Sequence, residues 1–178
     1  MHESSYNEMK SVMYRYLHVY ADRELVVVDV GSQAMGGQKS YRSLLADKWK
    51  YIGVDIVAGP NVDMVMPNPC SIPRDSDSVN VILCGQTLAH ARRPWLLVKE
   101  MARCLDRGGH LFCACPAYQH LHRFPEDCWR IYPDGMHVLL EDAGFDVRET
   151  YTNPCDGLLV SNYGRAQIVD CWGIGVKK

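Results

Sequence analysis

The spacing of apolar residues changes along the chain between a helical period and short continuous runs. These changes predict alternating helices and strands. Residues 6–20 place apolar side chains at helical spacing, and short apolar runs follow at 25–30, 51–55, 61–66, 78–84 and 110–115. Such runs are typical of strands that are buried on both faces. Helical spacing at 40–48, 94–105 and 133–143 predicts helices between the runs. The pattern therefore predicts a parallel sheet with crossover helices on both faces.

The last third of the chain predicts a different connection. Residues 145–151 and 166–172 have the pattern of strands, and the segment between them holds Asn153-Pro154 and Asp156-Gly157. No crossover helix fits there, so we expect an antiparallel pair at the sheet edge, joined by a long connection. At 178 residues we expect a single α/β domain over residues 1–178, with an N-terminal helix inside residues 1–22 packed on it.

The helix at 94–105 has a predicted buried face, and so does the helix at 133–143. The first is expected to bury Trp95, Leu96, Val98, Met101, Ala102 and Leu105, and the second Met136, Val138, Leu139, Leu140 and Ala143. Glycines at 108–109 and at 144 are predicted to end these helices, because glycine adopts the left-handed conformation that closes a helix.

Composition narrows the function classes. The net charge is −2 with 22% charged residues, which gives no attraction to nucleic acid or to an anionic membrane. Eight cysteines occur without a Cys-x-x-Cys pair, as expected for buried free thiols in a reducing compartment. No apolar run is long enough to span a bilayer. We expect a cytoplasmic protein, a monomer or homodimer, that does not insert into membranes and does not bind nucleic acid.

The first buried strand ends in a glycine-rich turn. Leu25–Val30 is followed by Gly31-Ser-Gln-Ala-Met-Gly36-Gly37. Gly31 is expected to supply the turn, while Gly36 and Gly37 leave room beside a following helix whose N–H groups face a polar cofactor group. The stretch predicts a nucleotide-like ligand at the carboxyl end of this strand.

An acidic residue lies at the distance that such a ligand requires. Asp55 ends the second apolar run, 24 residues after Gly31, and a carboxylate accepts two hydrogen bonds from the vicinal hydroxyls of a ribose. Asp55 alone is more simply a loop acid, and the glycine turn makes the ribose-binding role the better interpretation. The proline-rich loop at 67–73 either grips a heteroaromatic base or is a rigid connection. We expect one crevice, at the carboxyl ends of the strands, bordered by residues 31–37, Asp55, Asn68, 85–90 and 116–123.

Together these motifs resemble the class I S-adenosylmethionine-dependent methyltransferases, in the branch called methyltransferase type 11. Residues 28–31 (Val-Asp-Val-Gly) are similar to the first motif of the family, 53–55 to its ribose-binding acid, 68–73 to its adenine-side loop and 105–109 to its Leu-Lys-Pro-Gly-Gly turn. Residues 128–136 also resemble a bacterial subgroup associated with polysaccharide or cell-envelope genes. The resemblance covers residues 25–172. It implies a Rossmann-like, seven-stranded, mostly parallel, doubly wound sheet with an antiparallel last strand.

The resemblance also implies S-adenosylmethionine as the cofactor. Gly31 and its neighbours would then pass the methionine part, Asp55 would bind the ribose, the Asn68 loop the adenine amine, and Gly85 with Gln86 would flank the cofactor. The full set of implied cofactor-binding residues is Asp29, Gly31, Ser32, Gln33, Gly36, Gly37, Asp55, Ile56, Asn68, Pro69, Gly85 and Gln86. Two departures from the family pattern stand out: the Gly-x-Gly-x-Gly turn is longer here, and the Leu-Glu-His after strand four is Leu88-Ala89-His90.

Methyl transfer chiefly requires that nucleophile, methyl group and sulfur lie in line. A hydroxyl acceptor also benefits from a base, for which histidine is suited near neutral pH. Of the three candidates His90, His120 and His122, we rank His90 and His122 first as catalytic residues.

Other side chains near the predicted crevice keep two interpretations each. Arg123 and Arg130 either clamp an anionic group of the substrate or pair with nearby acids to order their loop. Trp129 and Tyr132 form an apolar wall or plug the end of the sheet. The pair Cys113 and Cys115 is better explained by packing than by a metal, because no further ligands lie at zinc spacing.

The leading hypothesis is therefore a methyltransferase that acts on a small-molecule or saccharide acceptor. The alternative is a non-catalytic cofactor-binding or scaffold protein with a degenerate methyltransferase fold. An NAD-dependent oxidoreductase is less favoured, because the first turn lacks Gly-x-Gly-x-x-Gly.

Overall fold

The computed structural model describes residues 3–34, 36–37, 39–123, 125–161 and 164–178, with backbone only for 155–161 and 164–167. Seven strands form one sheet in the order β3-β2-β1-β4-β5-β7-β6. Their bounds are β1 Leu25–Val30, β2 Trp49–Asp55, β3 Met64–Val65, β4 Val79–Gly85, β5 Leu105–Tyr118, β6 Phe145–Ser161 and β7 Gly164–Lys177. Strands β1 to β5 pair in parallel, and β7 runs antiparallel to both β5 and β6. The predicted fold class is confirmed.

Within the described ranges of the chain, three α-helices cover the two faces of the sheet: α1 Glu3–Leu17, α2 Pro94–Cys104 and α3 Pro133–Asp142. One face packs against α1 through a cluster that includes Met9, Met13, Leu17, Val27, Val81, Phe112 and Trp172. The other face packs against α2 and α3 through Leu97, Val98, Met101, Met136, Leu140, Val28, Ile82 and Leu111. Because both faces are buried, the central parallel strands β1 and β4 are mostly apolar, as their sequences predicted, and Asp29 is a buried polar exception.

The helix predicted at 40–48 is absent, and this prediction was wrong. Among the described residues between β1 and β2, the helical structure is a single 3₁₀ turn, Tyr41–Leu44. The Ser40 hydroxyl accepts a hydrogen bond from the backbone N–H of Arg42 and donates one to the side chain of Asn61. Arg42 also bonds to Asn61 and to Asp63. Polar contacts from a distant loop therefore hold this segment in a turn, and they override its helical spacing.

The buried face of α2 differs from the predicted one. Trp95 and Leu96 are 44% and 38% exposed, whereas Leu97 is 1% exposed. The face that meets the sheet consists of Pro94, Leu97, Val98 and Met101, which is the i, i+3, i+4, i+7 spacing of one helical stripe. Val138 on α3 is exposed for the same reason, since Met136 and Leu140 make the contact there.

The strands β5 and β6 are also longer than the sequence predicted. Helix α2 ends at Cys104 and β5 begins at the next residue, so Gly108 (φ +83°) lies inside an irregular strand start and does not close the helix. Pro116 does not end β5, because the strand continues to Tyr118 past a register shift. Residues 153–157 lie within β6, not in a long connection. Gly144 (φ +94°) follows α3 as expected.

Candidate functional site

Gly31 ends β1 in contact with the loop that follows β4. Its φ is +79°, its N–H donates to the Val54 carbonyl at 2.8 Å, and a Cβ at this position would overlap the Thr87 side chain. Thr87 in turn donates from its hydroxyl to the Val30 carbonyl at 2.9 Å. Glycine is therefore required twice, by conformation and by close approach.

Gly36 and Gly37 have a different reason to be glycine. Both have positive φ, +43° and +76°, but a Cβ on either would meet nothing within 4 Å. In the described residues that follow, a 3₁₀ turn takes the place of the expected α-helix, so the expected role beside an α-helix N-terminus is wrong. Between them and Gly31, Met35 lies outside the described residues, while Ser32 is buried and donates to the Asn61 carbonyl at 3.2 Å.

Asp55 lies at the carboxyl end of β2 with its carboxylate fixed by backbone groups. One oxygen accepts from the Gln33 N–H at 3.0 Å, and the other accepts from Ile56 at 2.7 Å and Val57 at 3.4 Å. A carboxylate has about four acceptor positions, so one remains on the oxygen that faces Gln33. The structure thus brings Gly31, Gln33 and Asp55 together at one edge of the sheet.

The predicted adenine-side residues lie at the rim of this edge. Asn68 and Pro69 are exposed, and the Asn68 side chain accepts from the Cys70 N–H at 3.0 Å in a local turn. Ile56 is 38% exposed. These residues line the side of β2 and β3, beyond Asp55.

Asp29 is a buried acidic residue of β1, two residues before Gly31. It is 4% exposed and accepts a hydrogen bond from the Tyr51 hydroxyl at 2.5 Å. Burial raises its pKa to about 7, the bond from Tyr51 opposes that rise, and the negative charge of Asp55 adds to it. Near neutral pH this carboxyl group is therefore present in both protonation states.

Asn61 joins the glycine turn to β2, and the sequence analysis missed it. Its amide donates to the Ser32 carbonyl at 2.8 Å and to the Tyr51 hydroxyl at 2.7 Å. Its φ of +70° is left-handed, a conformation that asparagine tolerates. The Gly59-Pro60-Asn61 turn in the sequence was the available signal.

A second polar group surrounds the end of β4 and the middle of β7. It includes two residues that the sequence analysis also missed. Gln86, with φ +67°, donates from its N–H to the Ala114 carbonyl at 2.8 Å and from its side chain to Asp170 at 2.7 Å. A Cβ on Gly85 would overlap the hydroxyl of Tyr41, which packs over this strand end. Asp170 and Tyr41 have no motif in the sequence, because only the fold places them beside Gly85.

The three candidate histidines lie together. The rings of His90 and His122 are 5.8 Å apart, and those of His120 and His122 are 6.3 Å apart. His90 contacts the Glu126 carbonyl through Nδ1. Because a carbonyl only accepts, Nδ1 carries the proton and Nε2 is left as an acceptor, which a base requires. Partial desolvation and the neighbouring histidines lower the pKa of His122.

The loop that carries His122 is held by ion pairs and backbone bonds. Asp127, with a side chain 2% exposed, bonds to both terminal nitrogens of Arg130 and to the His122 N–H at 2.6 Å. The Arg130 guanidinium lowers the pKa of Asp127 to about 2. Arg130 therefore orders the loop, which was one of its two interpretations.

Aromatic residues of the same loop are only partly buried. The Trp129 indole donates to the Ala91 carbonyl at 2.8 Å, and its ring meets Trp95 edge-on at 5.9 Å. Tyr132 is 60% exposed, so it does not plug the end of the sheet. Arg123 is exposed as well.

Two cavities, of about 550 and 170 Å³, lie at the opposite edge of the sheet, around Tyr20, Gly108 and His110. At the carboxyl edge, Thr87 lies against Gly31 and Tyr41 lies against Gly85.

In the part of the chain that the structure describes, no three His, Cys, Asp or Glu side chains have the arrangement of a metal site. The seven cysteines whose side chains are described are free thiols, and Cys113 and Cys115 are fully buried. None of the described helices has the length and apolarity needed to cross a bilayer.

Comparison with solved structures gives matches over the whole fold. The chain aligns with the YcgJ protein of Bacillus subtilis at a TM-score of 0.72 and 14% identity, covering 99% of each chain. It aligns with a SAM-dependent methyltransferase of Methanosarcina mazei at 0.65 and 16%, covering 92% of this chain and 97% of that one.

A third match carries ligands. The 1,6-didemethyltoxoflavin-N1-methyltransferase of Burkholderia thailandensis, solved with 1,6-didemethyltoxoflavin and S-adenosylhomocysteine, aligns at a TM-score of 0.72 and 16% identity, covering 99% of this chain and 79% of that one. At such identities the likeness shows the fold. No curated protein matches the sequence, whereas a family model described as methyltransferase domain matches residues 28–113. Residues 28–113 therefore match the model of the methyltransferase-domain family, and the chain as a whole has the class I methyltransferase fold.

Proposed function

We propose that the protein transfers the methyl group of S-adenosylmethionine to a small-molecule or glycan-like acceptor. The observation that carries this proposal is that the turn after β1 is bonded to the carboxyl end of β2, from Gly31 to the Val54 carbonyl and from Gln33 to Asp55, inside the segment that matches the family. In open α/β sheets, ligands bind at this edge, where the strand order reverses between β1 and β4. S-adenosylmethionine-dependent methylation is the activity of the family.

The residues at this edge fit such a cofactor. Asp55 keeps an acceptor position free for a ribose hydroxyl, and its backbone donors hold the carboxylate in place. Gly31 presents bare backbone, and the buried carboxyl group of Asp29 lies nearby on the same strand. Ser32, Gln33, Gly36 and Gly37 continue the turn. Asn68, Pro69 and Ile56 remain proposed contacts on the adenine side, as do Gly85 and Gln86 beside β4.

When bound, the cofactor supplies a methyl group on a positively charged sulfur. The protein must then orient the acceptor and accept a proton from it where the acceptor is a hydroxyl. His90 is the proposed base, because its Nδ1 is held by the Glu126 carbonyl and its Nε2 is an acceptor. His122, 5.8 Å away ring to ring, remains neutral near pH 7 because its pKa is lowered, so it is the second candidate.

One set of contacts favours the non-catalytic alternative. Thr87 occupies the space beside Gly31, and Tyr41 occupies the space beside Gly85. The turn after β1 also lacks the helix whose N-terminus was expected to face the cofactor. A scaffold protein with this fold would bind the cofactor weakly and transfer no methyl group.

Calorimetric titration with S-adenosylhomocysteine tests the proposal. We expect the wild type to bind and Asp55→Asn to bind about tenfold more weakly or worse, because a charge-assisted bond is lost. Asp47→Asn, at an exposed carboxylate outside the edge, is the control. Transfer of a labelled methyl group to any member of a panel of hydroxyl and amine compounds supports the enzyme. Absence of binding by the wild type at millimolar S-adenosylhomocysteine contradicts the whole proposal, and binding without transfer favours the scaffold.

We further propose that the protein resides in the cytoplasm as a monomer or homodimer. The free thiols among the described cysteines support a reducing compartment. Fractionation of the source cells and light scattering of the purified chain test the two statements.

A further inference from the structure

We propose that Asp170 and Tyr41 form a subsite that binds a protonated amine of the methyl acceptor, so that the acceptor is an amino sugar or a similar small amine. This inference rests on the proposed function, because it takes the cofactor to lie over β1 and β2. It adds the chemical class of the second substrate, which no motif in the sequence specifies.

The position of Asp170 puts it on the acceptor's side of the edge. The sheet order places β4, β5 and β7 next to one another beyond β1. Asp170 pairs with Pro116 of β5 across the sheet, and the Gln86 side chain reaches it from the end of β4. A cofactor held by Gly31 and Asp55 would therefore have the Asp170 carboxylate as a neighbour on the side away from β2.

Two polar atoms at this place have no partner. Asp170 is 1% exposed, and its Oδ2 accepts bonds from Ser5 and Gln86. Its Oδ1 and the hydroxyl of Tyr41, a residue 4% exposed, are buried and form no hydrogen bond with the described part of the chain. A buried polar atom without a partner costs about 1–3 kcal/mol. Such atoms are rare in native proteins, and a site completed by a ligand group explains both of them.

The charge of the surroundings selects an amine. Burial, and after it the negative charges of Asp29 and Asp170, raise the pKa of Tyr41 well above its usual value. The described partners of Asp170 are a neutral hydroxyl and a neutral amide. An ammonium group has three donors and a positive charge, so it satisfies Asp170 Oδ1 and the Tyr41 oxygen together. A neutral hydroxyl has one donor and leaves the buried charge uncompensated.

The test uses D-glucosamine and its neutral counterpart D-glucose as probes. Binding is measured by NMR titration of the full chain saturated with S-adenosylhomocysteine, at about pH 6.5, where an amine of this kind is protonated. We expect the wild type to bind glucosamine about tenfold more tightly than glucose, and Asp170→Asn to reduce that ratio to about twofold or less. Asp146→Asn, which removes an exposed carboxylate from β6, should keep the wild-type ratio.

Tyr41→Phe separates a ligand-binding role from a structural one. The hydroxyl has no partner to lose, so we expect the melting temperature to stay the same or rise while glucosamine binding weakens several-fold. Equal ratios in the wild type and Asp170→Asn would overturn the inference. It would also be overturned if Asp170→Asn weakened S-adenosylhomocysteine about tenfold and left the sugar ratio unchanged, since the amine would then be that of the cofactor. Failure of the wild type to bind S-adenosylhomocysteine would instead refute the proposed function.

Discussion

Asp29 permits a test that needs no ligand, because its carboxyl group is buried in the folded chain and hydrated in the unfolded one. Its pKa is about 7 in the folded protein against an ordinary 3.8. The folded state therefore binds a proton more tightly, and the stability associated with Asp29 is fully present below about pH 3.8 and is lost as the pH rises through 7. Each pH unit inside that window costs about 1.4 kcal/mol.

Replacement of Asp29 by asparagine removes this dependence. The amide oxygen still accepts the hydrogen bond from Tyr51, and the side chain carries no charge at any pH. Between about pH 5 and pH 8 the wild type should lose about 3 kcal/mol of unfolding free energy through Asp29. The free energy of Asp29→Asn minus that of the wild type should therefore increase by about 3 kcal/mol over the same range.

Urea unfolding followed by circular dichroism at the two pH values measures this difference. All other titrating groups are shared by the two proteins, so their contributions cancel. Asp47→Asn, at an exposed carboxylate, is the control, and its difference from the wild type should not change with pH. A change for Asp29→Asn below about 0.5 kcal/mol would refute the claim that a buried carboxyl group of raised pKa lies at the end of β1.

Two further predictions concern the glycine turn and the proposed base. Gly31→Ala should lower the free energy of unfolding by about 2–4 kcal/mol, because it combines a positive φ with a collision against Thr87. Gly36→Ala, where φ is positive but the space is open, should lower it by only about 1 kcal/mol in the same urea experiment. Equal losses of stability in the two variants would contradict the close approach of Thr87 to Gly31. His90→Asn keeps a donor for the Glu126 carbonyl, so the melting temperature and the affinity for S-adenosylhomocysteine should be unchanged. Methyl transfer to a hydroxyl acceptor found in the panel should slow about 100-fold, because the base is lost. An unchanged rate would show that His90 only holds the loop.

Local sequence determined the sheet and most of its covering helices. Runs such as Leu25–Val30 and Val79–Gly85 are apolar at most of their positions, with Asp29 and Asn80 as the polar exceptions, so their assignment as buried strands needed no information from elsewhere. The approach of Asp55 to the turn that begins at Gly31 was also predictable, because a βαβ-like spacing brings the carboxyl ends of neighbouring strands together. The predicted ends of helices and strands were less accurate, since β5 begins directly after Cys104 and continues past Pro116.

Tertiary contacts decided the segment after the glycine turn. Residues 40–48 have helical spacing, yet Asn61 and Asp63 hold Ser40 and Arg42 in a 3₁₀ turn. Asn61 and Asp63 lie about twenty residues away along the chain and are not part of any helix-capping motif, so no local rule identifies them. The same holds for Tyr41, which this turn places against Gly85.

The sequence by itself determined which strands exist, that they are buried, and that a glycine and an acid meet at one edge. Only the tertiary structure decided what surrounds that edge: the histidines at 90, 120 and 122 as one group, Arg130 engaged by Asp127, and Asp170 beside Gln86 from 84 residues away. The physical reason is that apolar periodicity records burial of each element on its own. A polar side chain instead takes its role from partners that are brought near only when the elements pack.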